Sequence, residues 1–493
     1  FNSVSVQNKT FGGTNPQNRL NNFGYSIGGP VIIPKVYNGR NRTFFFTNLE
    51  HTQTTSLPYN GFVTLPTPAF KNGDFSQLFN PAATGNPASG TSVGSDALGR
   101  PIIFGQIYDP RTTQTLADGT VIRNPFPGNI IPQSDWDPVA KNIVQGVGIQ
   151  NPRLNTLINN QPKVGTCCPF FDLHTYGFKV DHKINDRNHL SAYYNQSYRN
   201  RFNNSCGGGA KGPYLPAPGT GSSCWKSQIT PGNMGRVSLT TTITTSLINR
   251  IAGGINRFVN ENGVPPTAAS GGYSAALGLQ NINSPYFPVI KFSGTNYQGG
   301  NIDTLGYGSE DYSPNGSYIY QDDLTWIHGK HTFRFGYDYR RYVYTDRSNS
   351  NGGAFNFNPA QTNLPGYSTQ TGNAFASFLL GAANSASRNI AGYTSAFRQA
   401  SHALYAMDDW KLTPRLTVNL GMRWEIIPPL YETTNRMSEV SLSVPNPGAG
   451  NRPGALIFGG PFNDTYWGEL GPRIGIAYRL SDKIVVRAGY AMT

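Results

Sequence analysis

From Thr175 to Asn200 apolar and polar positions alternate residue by residue. Tyr176, Phe178, Val180, His182 and Ile184 fall on one phase; Gly177, Lys179, Asp181 and Lys183 fall on the other. A polar turn, Asn185-Asp186-Arg187-Asn188, follows. Leu190, Ala192, Tyr194 and Tyr198 then alternate with mostly polar neighbours. A period of two predicts strand, turn, strand. The unit recurs with turns at His328-Gly329-Lys330, Thr413-Pro414-Arg415 and Ser481-Asp482-Lys483. A weaker copy turns near Thr244-Thr245-Ser246, and an early one joins 23–33 to 43–51 near Asn38-Gly39. The pattern predicts about six hairpins, or about twelve strands of roughly ten residues, the length of a tilted membrane strand.

The hairpins are separated by long stretches rich in Gly, Pro, Asn and Ser, at 54–172, 201–235, 260–315, 345–400 and 430–468. Structureless connections of that length do not suit an ordinary compact domain. Short turns on one side and long loops on the other suit an outer-membrane barrel, with periplasmic turns and extracellular loops. The expectation is therefore an all-β chain, part of a transmembrane antiparallel β-barrel over 1–493, with 54–172 as a long extracellular insertion.

The strand faces agree. Arg334, Gly336, Asp338 and Arg340 share one phase, and Phe333, Phe335, Tyr337 and Tyr339 share the other. An Arg facing lipid at mid-membrane costs about 2–4 kcal/mol, so the charged face belongs in the lumen and the aromatic face against lipid. Leu416, Val418, Leu420, Met422 and Trp424 oppose Thr417, Asn419, Gly421, Arg423 and Glu425 in the same way. Trp326, Phe333 and Trp410 lie near turns, where an interfacial aromatic girdle would sit; the loop asymmetry favours that girdle over ordinary cross-strand packing in a soluble sheet.

Composition narrows the class. Charged residues are only 13% of the 493, against roughly 25% in ordinary soluble domains. Weak helix formers abound, with 57 Gly, 36 Pro, 27 Tyr and 28 Phe. No apolar run nears the roughly 20 residues of a membrane helix. The most apolar short piece, 374–383, is broken by Ser377 and Gly381. The net charge of +13 is spread among aromatics without a Lys/Arg block, so no nucleic-acid partner is expected.

The search for chemistry assigns no catalytic, cofactor-binding or metal-binding residue, and no enzyme activity is expected. His328 and His331 flank a turn without a nearby Glu of the zinc-protease pattern, and His182 and His189 flank another; all read as solvated turn histidines. Asp322/Asp323 and Asp408/Asp409 recur at matching places in separate hairpins, which suits charge ladders with lumen or interfacial Arg residues better than catalytic pairs. Gly207 to Gly209 precede no helix signal. The cysteines Cys167, Cys168, Cys206 and Cys224 form no CxxC. A loop disulfide Cys206–Cys224 would fit an oxidising compartment, with free thiols as the alternative. Loop aromatics such as Tyr286, Phe287, Tyr297 and Tyr307 could meet a ligand, but any exposed aromatic loop looks like this. The substrate-binding residues therefore stay unknown.

Several motifs come in a recognisable order. The first is NFGYSIGGPV from Asn22 to Val31, then RTFFF from Arg42 to Phe46 and Glu50. LPTP (65–68), NGDF (72–75), YDP (108–110), FPGNIIP (126–132) and WDPVA (136–140) follow, the last starting a short loop helix. Downstream come DDWKLTPRLT (408–417), GMRWE (421–425), GPRIGIAY (471–478) and RAGY (487–490). The chain resembles Oar-like TonB-dependent outer-membrane transporters over nearly its whole length. That resemblance implies a barrel of about 22 strands, a plug ahead of it, and a TonB-type energising protein that pulls on a short upstream box. It also implies uptake of a large ligand such as a siderophore, oligosaccharide or peptide. The piece in hand would then lack the plug and the C-terminal strands. The alternative is a structural or adhesive outer-membrane barrel without energised transport. A soluble carbohydrate-binding or hydrolytic protein fits the aromatic-out, charge-in strands poorly.

Overall fold

The computed structural model describes residues 18–56, 62–149, 151–162, 170–204, 225–263, 272–282, 284, 286–306, 310–349, 353–388 and 394–492. One sheet dominates. Its strands are β1 (Asn18–Pro30), β2 (Thr43–Ser56), β3 (Phe170–Lys183), β4 (Asn188–Asn204), β5 (Trp225–Thr244) and β6 (Leu247–Gly263). They continue as β7 (Glu310–His328), β8 (His331–Asn349), β9 (Thr394–Thr413), β10 (Leu416–Ile426), β11 (Glu469–Ser481) and β12 (Ile484–Ala491). Each strand pairs with its neighbours in chain order, and a short strand, Tyr431–Glu432, adds to β9. Every pairing along this path is antiparallel. Among the described residues β1 and β12 do not pair with each other, so the sheet is an arc of wall. The all-β fold and the hairpin count agree with the periodicity.

The turns are as tight as the alternation implies. His328 pairs with His331 across Gly329 and Lys330. Gly329 has φ +59°, as a type II′ hairpin needs at its first central position. Thr244/Leu247, Thr413/Leu416 and Ser481/Ile484 close similar two-residue turns, each next to a register shift in its ladder. The first connection differs from expectation. It spans 31–42 and carries a small ladder of its own, Ile32–Ile33 against Tyr37–Asn38, rather than a tight turn at Asn38-Gly39.

Strand length is the second correction. β5 and β9 run 20 residues and β7 and β8 run 19, about twice the expected ten. At roughly 3.3 Å per residue such strands exceed 60 Å and outreach a membrane. Beyond the bilayer neither face needs to be apolar, so alternation fades there while the main-chain ladder continues. Tyr312 and Arg347, for instance, still pair across β7 and β8, and Asp311 pairs with Ser348.

The long connections supply the third correction. Residues 62–162, 272–306 and 353–388 are not structureless; they fold together around one core containing Leu65, Phe75, Ile107, Ile131, Ile143, Leu277, Phe287, Ile290, Phe357, Phe375 and Phe378. The apolar piece noticed in the sequence becomes a helix, Ala374–Leu379, every residue of which is buried. The helix expected after Trp136 forms at Pro138–Lys141, with the Asp137 side chain capping it.

With few regular elements to pair their backbones, these loops use buried amides. Asn129 is fully buried with φ +62°. Its Oδ1 accepts from Ile107 N (2.8 Å), and its Nδ2 donates to Phe75 O (3.0 Å) and Gly105 O (2.9 Å). Asn160 brackets both backbone groups of Leu65 at 2.8 Å. Gln298 donates to Ser368 O and Thr371 O, and Arg123 donates to Ala360, Gln361 and Asn363 carbonyls, so the loops are laced to one another. Buried main-chain groups need partners, and Asn is well shaped to supply them.

Candidate functional site: the lumen face and the loop body

The polar phase of the wall forms a ladder. Asp323 on β7, Gly336 on β8 and Tyr405 on β9 stand in one register row. A side chain on Gly336 would run into the Tyr405 ring; without one, the ring lies across the strand and its hydroxyl donates to Asp323 Oδ1. Arg250 reaches the other Asp323 oxygen at 3.2 Å. Further along, Arg340 pairs with Asp338 (3.1 Å), Arg334 with Asp409 (3.4 Å) and Arg423 with Glu425 (2.6 Å). These four arginines meet acids, whereas Arg236 on the same face of β5 donates to the Gly235 and Ile255 carbonyls and to Asn256 Oδ1. The face offers hydrogen-bonding groups to a polar solute, and Arg334, Tyr405, Arg423 and Arg473 line a hollow on it of about 290 Å³.

The paired aspartates divide between faces. Asp323 and Asp409 belong to this ladder. Asp322 accepts from Asn249 Nδ2 on the other phase, and Asp408 bonds His331 Nδ1 there at 2.7 Å. The ladder expectation therefore holds for the second member of each pair. His331 is not a freely solvated turn residue, because its ring stacks on Phe333 (5.3 Å, 2°) and Trp410 (5.2 Å, 16°). Trp326 extends the stack against Phe333 (5.4 Å) and His328 (5.1 Å). This is an aromatic collar at the turn end of the wall. His182 also has a partner, Thr43 Oγ1 at 2.7 Å.

On the same outward phase, His51 and Asp172 lie 2.6 Å apart, with His174 3.0 Å from the same carboxylate. Sequence reading missed this group. His51 is 121 residues from Asp172, so no local spacing could reveal it.

The loop body holds an apolar cleft of about 230 Å³ walled by Ile143, Leu279, Ile290, Phe355, Phe357 and Phe378, with Asp137 at its edge. Asp137 Oδ1 accepts from Val139 N and Ala140 N, at 2.9 and 3.1 Å. Elsewhere in the body, burial pushes the Tyr108 hydroxyl up to about 12 and lowers the Lys71 ammonium, which donates to Ile149 O at 2.7 Å. Of the loop aromatics, Phe287 is core and Tyr297 is tied down by its hydroxyl to Thr369 O (2.8 Å), while Tyr286 is half-buried. Tyr307, Gly207 to Gly209 and all four cysteines, including Cys206 and Cys224, lie outside the described residues.

Comparison with known proteins fits this geometry. The profile of the family described as "Outer membrane beta barrel domain" matches residues 1–493. No curated protein matches the sequence. Among solved structures, the outer membrane transporter YddB from Escherichia coli aligns at 8% identity and TM-score 0.42, over 96% of this chain and 38% of that one. The ferripyoverdine receptor of the outer membrane of Pseudomonas aeruginosa aligns at 8% and 0.41, over 97% and 41%. The ferric yersiniabactin uptake receptor FyuA from Yersinia pestis aligns at 9% and 0.38, over 95% and 44%. The chain thus spans about two fifths of these three structures. Superpositions this loose carry no functional weight.

Proposed function

The chain belongs to the outer membrane beta barrel domain family and resides in the outer membrane, and we propose that it is wall and outer loops of an energised, TonB-dependent transporter for a large ligand. The observation that carries this reading is the extent and two-faced character of the wall. Twelve strands with a polar inner face and an aromatic outer face run in order along one antiparallel wall. Barrel diameter grows with strand number, and barrels of about 22 strands belong to plugged outer-membrane transporters. The tight turns would face the periplasm and the loop body the outside. The apolar cleft and its rim would then be the first surface a siderophore, oligosaccharide or peptide meets. The energising protein would act through a plug upstream. A disulfide between Cys206 and Cys224 in an outer loop belongs to the same proposal, checked by the mass shift on alkylation before and after reduction.

The deciding experiment extends the reading frame past Phe1 and Thr493. A plug and a short coupling box upstream, with strands downstream bringing the wall to about 22, support energised transport. A frame encoding no plug sinks it and leaves a structural or adhesive barrel.

A further inference from the structure

The group formed by His51, Asp172 and His174 does not belong to the lumen or to the cleft. It sits on the outward face, at the seam between β2 and β3. His51 and His174 are direct register partners across that seam. Their rings lie 4.1 Å apart, tilted by 37°. Asp172 precedes His174 by one full strand period, so it shares the face. Both imidazoles turn Nε2 toward its carboxylate, at 2.6 Å to Oδ1 and 3.0 Å to Oδ2. One donor atom from each residue lies within 4.8 Å of the other two.

We propose that these three side chains bind one divalent first-row transition ion, of the zinc or copper(II) kind, and that the ion clips β2 to β3. Two imidazoles and one carboxylate match that class, whereas calcium and magnesium call for mostly oxygen ligands. Bond lengths of about 2.0–2.2 Å place ligands on one ion about 3–3.5 Å apart. The observed convergence needs only small side-chain rotations to reach that. The neighbours restrict the rings: Phe23 packs on His51 at 4.9 Å, and Tyr176 stacks on His174 at 6.4 Å and 9°. Water would complete the coordination.

The place explains the use. Along β3 the group stands about 36–43 Å from the turn at Asn185, at roughly 3.3 Å per residue. With the usual strand tilt this is the outer margin of an apolar band about 25 Å tall. β3 is joined to β4 by a tight turn, but it is joined to β2 only through 57–169, the longest connection in the chain. Closing a long loop costs the most chain entropy, and a metal clip across it therefore gains the most.

The test uses the full-length protein in detergent, stripped with chelator and with its cysteines alkylated so that thiols cannot compete. Zinc titrated by calorimetry should bind once per chain at micromolar concentration or tighter. H51Q and H174Q should each weaken binding at least about tenfold, while H182Q, on the same face, should leave it unchanged. Copper(II) should show nitrogen splitting from two imidazoles in the resonance spectrum, and from one in H174Q. Zinc, but not calcium, should raise the unfolding temperature of the unmodified sequence and not of H51Q/H174Q. If the metal-free protein takes up no zinc below millimolar concentration, or if its copper spectrum shows no imidazole nitrogen, the group is a hydrogen-bonded cluster only and the proposal is wrong. Those two measurements need no variant to fold.

Discussion

The wall and the loop body treat the same kind of side chain in opposite ways. Phe178, Ile255 and Tyr318 on the wall are half or more exposed, at 50%, 50% and 54%, whereas Phe75, Phe287 and Phe375 in the loop body are at 0 or 1%. The difference lies in the solvent. Lipid surrounds the wall and is as apolar as the side chains, so they face outward and the backbone satisfies itself strand to strand. Water surrounds the loops, so apolar groups turn inward. Their backbones, lacking a ladder, are satisfied by Asn129, Asn160, Gln298 and Arg123. One chain therefore carries two folding codes, one for the wall and one for the loop body.

The contrast can be broken first from the water side. Phe375→Ala removes a fully buried ring from the loop core and should cost about 3–5 kcal/mol. Limited proteolysis should cut 62–162 and 353–388 much faster, while the heat-modifiable mobility of the wall stays. Loss of both together would show that the body and the wall fold as one unit. From the lipid side, Phe178→Arg sits about midway between turn and loop and should cost about 2–4 kcal/mol in refolding into bilayers. Tyr193→Arg, on the opposite phase of β4, should cost far less. Equal costs would undo the assignment of faces.

A smaller effect tests the amide lacing. Asn129→Ala strands the Ile107 N–H and the Gly105 carbonyl, at about 1–3 kcal/mol for a buried unsatisfied group, while Phe75 O keeps the Leu78 N–H. Amide exchange should accelerate at Ile107 and leave β5 untouched. The smallest effect is electrostatic. Glu432 accepts from the Thr434 hydroxyl (2.7 Å) and from the backbone of Thr434, Arg436 and Ala396, which holds its carboxyl down at about 2. A depressed carboxylate stabilises above its unfolded value near 4.3 and loses that contribution as pH falls toward 2. Pepsin should therefore cut the 427–468 connection more readily at pH 2 than at pH 4. Glu432→Gln should abolish the difference.

What was legible in the sequence follows the same division. Where lipid and lumen face each other across a strand, side chains must alternate, so β3, β8 and β10 could be read off directly. The tight turns carried their own chemistry in Gly329, Pro414 and Asp482. Toward the loop ends of the strands the requirement lapses, and 310–315 of β7, 345–349 of β8 and 394–400 of β9, about a third of their length, went unread. The loop core was invisible for another reason. Phe75, Phe287 and Phe375 lie in three separate connections, and no local pattern announces that they meet. His51 and His174 are hidden in the same way. Phe287 looked like a candidate ligand contact because an aromatic in a polar loop gives the same signal whether it faces out or in.

The three pieces of the loop body leave the wall at different seams, between β2 and β3, β6 and β7, and β8 and β9. Each hairpin can form from neighbouring residues as it emerges, since its contacts are local. The body cannot complete its core until the helix Ala374–Leu379 arrives, after eight strands are in place. Its closure therefore marks time. In pulse proteolysis during refolding, protection of Phe75 and Phe287 should appear only after β8 is protected, so that the exterior becomes sealed only on a wall already built this far.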